Sequence, residues 1–234
     1  MNSHTNIQNA PVTGVENAHG WRFGIAQRTE RVLSRAVKRC FDVFAATFLL
    51  VILLPMLAVV SLLVAMDGGP VFFSHKRVGR NGKIFGCLKF RSMIPDAEDT
   101  LREYLALHPE AAEEWEKTRK LSFDPRITTV GRALRSSSID ELPQLINVIK
   151  GDMSLVGPRP ITSQELDRYG VRADYYKAVR PGITGLWQVN GRNDLSYEQR
   201  MAMDVEYVKN WSLFADAGIL LRTPRVVLSR DGAR

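Results

Sequence analysis

The sequence predicts an α+β protein: a re-entrant membrane helix hairpin joined to a small cytoplasmic α/β domain that carries interfacial amphipathic helices. Three observations predict it. An uncharged apolar run over residues 43–66 dominates the first third of the 234-residue chain. Basic residues flank that run on both sides. Beyond it the pattern changes to a short strand–turn–strand unit, charged helical stretches and stiff Gly/Pro loops.

Residues 1–29 are polar and mixed, and read as a flexible tail. Residues 30–67 hold the apolar run, which exceeds the roughly 20 residues needed to span hydrocarbon. A cleavable signal peptide fits poorly, because the run starts late, is too long and lacks a small-residue cleavage site. Pro55 interrupts it and removes a helix hydrogen bond. Arg28, Arg31, Arg35, Lys38 and Arg39 precede it; Lys76, Arg77, Arg80 and Lys83 follow it. Lys and Arg mark the cytoplasmic side. With both ends there, the segment enters one leaflet, turns at Pro55 and returns, in arms of about 18 Å at about 1.5 Å per residue. A single span that tolerates its proline is the alternative. A buried core helix fits less well, since a small domain rarely hides an all-round apolar helix of this length.

Residues 68–234 form the domain on the cytoplasmic face. Asn81-Gly82, between apolar runs, predicts a β-hairpin. Lys89 and Arg91 fall on one face of its second strand, either solvated or lining an anion site. A charged helical pair divided at Pro109 follows, read as a surface or partner-binding element; packing around Trp115 would make a homodimer. Then comes SSSIDELPQL, with Asp140 and Glu141 adjacent. Ser138-x-x-Glu141 matches a capping box, acids suit a helix N-terminus and Pro143 suits a first turn. A helix is therefore expected to start near Ser138–Asp140 and to end at Gly151. On those grounds alone the acids need only cap it.

The surroundings suggest more. Arg135 lies about a helical turn upstream. Arg159 stands between two prolines, Arg180 precedes Pro181-Gly182, and Arg192 follows Asn190-Gly191. An arginine held by stiff backbone suits bidentate phosphate contact. Three such loops around one carboxylate pair read as a polyphosphate site with a nucleophilic or metal-binding acid at its centre. Asp204, in the helical C-terminal region, is a candidate second carboxylate. That region mixes aromatics with Arg200, Lys209 and Arg222, as a helix in a membrane interface does.

The net charge of +7 implies an anionic partner: phosphate, acidic lipid or nucleic acid. No helix-turn-helix, zinc or aromatic-platform signature supports nucleic acid. The four histidines do not cluster, so any metal would be a hard cation such as Mg²⁺ on carboxylates. Cys40 and Cys87 provide no disulfide framework, which suits a reducing compartment.

KRCFDV, the apolar block with its central proline, IFGCLKFRSM, SIDELPQLINVIKGDMSLVGPRP and RPGITGLWQVNGRN together resemble the bacterial sugar transferases, the small monotopic polyprenyl-phosphate phosphoglycosyl transferases. The resemblance covers nearly all of the chain except the tail, and is nearest to members that initiate exopolysaccharides. It implies an enzyme of the bacterial inner membrane, on the cytoplasmic face, that moves a hexose-1-phosphate from a UDP-hexose to undecaprenyl phosphate. Asp140 would be the nucleophile, forming a covalent aspartyl intermediate and releasing UMP. Glu141 would hold Mg²⁺. Lys89, Arg135, Arg159, Arg180, Asn190, Arg192 and Asp204 would bind the phosphates and nucleotide sugar. Galactose is expected ahead of glucose. The physical expectation beside it is that a helix N-terminus and nearby arginines keep Asp140 ionised. One departure stands out: where members carry Ser-Pro at the hairpin break, this chain has Leu54-Pro55. The competing expectation is an inactive membrane-anchored scaffold.

Overall fold

The computed structural model describes residues 17–118, 120–191 and 194–229, with side chains from residue 33 to 227. The chain divides into two compact units, 1–38 and 39–234. Helix α1 (Asn17–Ala65) runs unbroken through Pro55. The division into two arms expected there is not seen in its secondary structure. A proline removes only one ladder hydrogen bond, and an otherwise uninterrupted apolar helix continues on both sides of it. Helical backbone starts at Asn17, inside the stretch expected as tail, and residues 1–16 lie outside the described residues.

Only 17% of the most apolar window of α1 is buried, and Phe44, Val51, Leu54 and Leu62 are exposed. The core-helix reading therefore fails: this helix is long and apolar enough to cross a membrane. Its other face packs on the domain. Ala46 joins Phe85, Val148 and Leu155 in one core cluster; Leu57, Val60 and Val64 join Phe90 and Leu134 in another. Polar contacts flank its apolar run on both sides. Arg39 donates to the carbonyls of Val148 (2.7 Å) and Ile149 (3.0 Å), and Asp42 accepts from Ser154 Oγ (2.8 Å) and Leu155 N (3.2 Å). Further along, Arg91 donates to Val64 O (3.0 Å) and pairs with Asp67. Residues 39–65 thus belong to the same unit as residues 68–234.

Strands β1 (Phe72–Val78) and β2 (Ile84–Phe90) pair antiparallel. Asn81 (φ 59°) and Gly82 (φ 76°) make the turn, a conformation those two residue types tolerate. The register pairs Phe73 with Lys89, His75 with Cys87 and Arg77 with Phe85, so these six residues share one face of the hairpin. Helices α2 (Ala97–Leu107) and α3 (Pro109–Thr118) separate at Pro109, as predicted. Helix α4 (Thr129–Ser137) is capped by Thr128, whose Oγ1 accepts from Gly131 N (2.8 Å). Helix α5 (Gln144–Lys150) ends at Gly151 (φ 94°), also as predicted.

Strand β3 (Ser154–Val156) pairs in parallel with β4 (Gly182–Thr184); α6 (Ser163–Asp167) and α7 (Ala173–Lys177) connect them. Helices α8 (Leu186–Asn190), α9 (Tyr197–Lys209) and α10 (Leu213–Ser229) complete the described fold. The mixed helix-and-strand domain beside one long apolar helix agrees with the predicted class.

Candidate active site

Asp140 and Glu141 lie in a short 3-10 turn, Ile139–Glu141, between α4 and α5. The capping box expected at Ser138 does not form. Ser138 is left-handed (φ 58°), and its N–H closes the end of α4 on Arg135 O and Leu134 O. The two serines before it bond back to Ala133 O. The serine run therefore ends one helix rather than beginning the next. Glu141, released from a capping role, turns to Lys89.

Asn147 fixes that turn against the hairpin. Buried in α5, it accepts from Leu88 N (2.9 Å) and donates to Gly86 O (2.8 Å). Lys89, next along the strand, reaches both acids: its Nζ lies 2.7 Å from Glu141 Oε1 and 3.4 Å from Asp140 Oδ2. Arg159 Nη2 lies 3.7 Å from the same Glu141 oxygen, with its guanidinium over the Trp187 ring. Arg135 donates through Nε to Ser92 Oγ (2.8 Å) and acts electrostatically on Asp140. Arg77, Cys87, Lys89, Glu141, Gln144 and Arg159 line the pocket beside the acids.

Burial pushes the Asp140 carboxyl above its usual range; Lys89 and Arg135 oppose this and Glu141 reinforces it. The expectation of an aspartate simply favoured as an anion is thus half met: the cations are present, but burial outweighs them. Glu141 is also pushed up by burial, yet Arg159 and Lys89 together hold it below the usual range. One acid is firmly ionised and its neighbour is poised higher, as expected of two carboxylates in unequal surroundings. Burial raises the Cys87 thiol to about 11, so it lines the pocket as a neutral group.

Of the other predicted residues, Arg180, Asn190 and Asp204 lie apart. Arg180 donates to Gly151 O (2.7 Å) and closes the C-terminus of α5 with Arg39. Asn190 is exposed, bonded to Leu186 O and Arg222. Arg192 lies outside the described residues. Asp204 is buried in α9, where Oδ2 accepts from the Tyr169 hydroxyl (2.8 Å) and Oδ1 has no hydrogen-bond partner among the described residues. Burial pushes Asp204 up to about 7, against the hydrogen bond and the charge of Arg159. Arg91 leaves the face of Lys89 for the end of α1, because β2 stops at Phe90. Sequence reasoning missed Arg77, Gln144 and Cys87 as pocket residues. The strand parity of Arg77 with Lys89, fixed by the Asn81-Gly82 turn, was the signal available for two of them.

Among the described residues no group of three or more His, Cys, Asp and Glu gathers as a metal cluster. The Asp140–Glu141 oxygens still fit Mg²⁺, which commonly takes one or two carboxylates and completes its shell with water and substrate phosphates.

A carboxylate pair beneath a cluster of cations, on a domain tied to an apolar helix, presents fixed positive charge of the kind that suits an anionic ligand. The chain belongs to the bacterial sugar transferase family, whose description matches residues 33–230. It is 55% identical over 200 residues to the undecaprenyl-phosphate galactose phosphotransferase of Salmonella typhimurium, covering 86% of this chain and 42% of that protein. It is 51% identical to the exopolysaccharide production protein ExoY of Rhizobium meliloti, over 86% of this chain and 89% of that one. It is 38% identical to the undecaprenyl-phosphate glucose phosphotransferase of Komagataeibacter xylinus, over 94% and 43%. The chain spans less than half the length of several of these relatives, including the Salmonella protein, and nearly all of ExoY.

Proposed function

We propose that the protein is a phosphoglycosyl transferase that moves a hexose-1-phosphate from a UDP-sugar to undecaprenyl phosphate and releases UMP, at the first membrane step of exopolysaccharide synthesis. The observation that carries this reading is the Asp140–Glu141 pair bridged by Lys89 at 2.7 and 3.4 Å. Asp140 attacks the sugar-bearing phosphorus. A bond forms from its carboxylate oxygen, and the bond to the bridging oxygen breaks, leaving its electron pair on UMP. The lipid phosphate then attacks the same phosphorus and frees Asp140. Splitting one transfer into two is the benefit of a covalent intermediate. Lys89 and Arg159 supply fixed positive charge where phosphate charge accumulates. Burial holds water away from the aspartyl phosphate. Mg²⁺, when bound, would be held by Glu141 and would neutralise diphosphate charge. Galactose is the favoured sugar, since relatives named for galactose are 55%, 52% and 47% identical and one named for glucose 38%.

The membrane reading is monotopic. One folded domain grips both ends of the apolar segment, Arg39 and Asp42 at one and Val64 and Asp67 at the other. A single crossing would separate those ends by about 30 Å of hydrocarbon. Leu213, Phe214 and Leu221 of α10 are exposed and would rest in the same interface on the cytoplasmic side.

The test is UMP release by detergent-purified protein with Mg²⁺, undecaprenyl phosphate and a panel of UDP-sugars. UDP-galactose is expected to react and Asp140→Asn to be at least about 1,000-fold slower. No release from any UDP-sugar by folded protein would leave an inactive scaffold as the better description.

A further inference from the structure

Arg77 has no part in the chemistry so far, yet it lines the pocket. It shares the hairpin face with Cys87 and Lys89, and the register puts its row four residues from that of Lys89. That is about 13 Å along the strands at about 3.3 Å per residue. Along the hairpin face the row of Lys89 lies on the Asp140 side and the row of Arg77 farther away, with that of Cys87 between them. Arg77 also acts on Glu141 and on Cys87 electrostatically.

Its guanidinium is held from behind. Nη1 donates to Glu165 Oε2 at 3.0 Å. That same oxygen accepts from Thr162 N (2.8 Å) and Thr162 Oγ1 (3.0 Å) in the capping box of α6. Glu165 is thus anchored whether or not Arg77 is present. A guanidinium has five N–H donors in a rigid fork, and Glu165 engages it through Nη1 alone. Arg77 is three-quarters covered, with a side-chain exposure of 23%, so its remaining donors work in a partly desolvated setting.

We propose that Arg77, positioned by Glu165, binds the phosphate that departs with the nucleoside. The proposal rests on the phosphoglycosyl transfer described above. In an in-line displacement the leaving oxygen lies opposite the nucleophile. With Asp140 beside Lys89, the departing phosphate points toward the Arg77 end. The broken P–O bond places a second negative charge on the nucleoside monophosphate, and a fixed guanidinium there stabilises it more as the bond breaks.

The measurement is UMP binding to the detergent-purified full chain by titration calorimetry, with uridine as the phosphate-free control. Arg77→Gln is expected to weaken UMP at least about tenfold, the usual worth of a charge-assisted contact, with little change for uridine, while Arg77→Lys recovers part of the loss. If Arg77→Gln binds UMP like wild type, or loses uridine as much as UMP, the assignment of Arg77 is wrong while the transferase reading stands. If wild type binds neither UMP nor UDP, both fall. Arg77→Lys carries the test should Arg77→Gln fail to fold: UMP binding at wild-type strength with an unchanged salt dependence would also overturn the assignment, because a point charge cannot reproduce a fork-shaped contact.

Discussion

Asp204→Asn should flatten part of the pH dependence of stability. Burial moves the Asp204 carboxyl from an ordinary 3.8 to about 7, at about 1.4 kcal/mol per pH unit. Holding the ionised form inside therefore costs about 4 kcal/mol. The sign follows from the raised value. Below pH 3.8 the group is protonated in both folded and unfolded chains, and its favourable contribution is complete. As pH rises through about 7 the folded chain must bury a charge and the contribution disappears. Asp204→Asn is neutral throughout and has no such loss. For a chain of this size about 4 kcal/mol corresponds to roughly 10 °C in melting temperature. Melting followed in detergent from pH 5 to pH 8 should show wild type falling relative to Asp204→Asn by about 3 kcal/mol, because the two pH units between 5 and about 7 carry that part of the loss and the rest precedes pH 5. The gap should be largest at pH 8, smaller at pH 5 and closed only below pH 3.8. Two parallel profiles would refute the reasoning, because they would mean that Asp204 is ionised, or neutral, across the whole range.

Lys89→Met removes the cation lying 2.7 Å from Glu141 and 3.4 Å from Asp140; UMP release should fall by about 100-fold or more, read as initial rates at saturating donor. Gly131→Ala would place a Cβ 2.0 Å from Ser92 O, backbone that cannot swing aside, so a loss of about 1–3 kcal/mol is expected, read by thermal melting. Arg39→Ala leaves the Val148 and Ile149 carbonyls without their donor and should cost about 1–3 kcal/mol, again read by melting; an unchanged melting temperature would show that water replaces the guanidinium.

Much of the scaffold was legible because single residues force it. Asn81-Gly82 dictates a turn in left-handed conformation, Pro109 divides two helices and Gly151 ends one. The apolar run of α1 could be read from composition alone. Ser138-x-x-Glu141 misled for a physical reason: a capping pattern is local, and the same serine closes a preceding helix equally well when its φ is 58°. Arg159 and Arg180 look alike in sequence, each beside a proline. One faces Glu141 and the other satisfies the end of α5. That difference depends on which carbonyls the fold leaves open. Arg77 shares the face of Lys89 through the register that the Asn81-Gly82 turn sets, so that turn was the one cue to it.

Lys89 and Arg91 are separated by a single residue, and they hold different things: one the carboxylate pair, the other the backbone near the end of the apolar helix. The distance between the reacting acids and the seat of α1 is thus fixed by about 7 Å of chain at the end of one strand. If α1 lies in the bilayer as proposed, the protein has a built-in gauge. The pocket cannot rise or sink relative to the hydrocarbon without breaking one of those two grips, so the lipid phosphate must be presented at the height the strand sets.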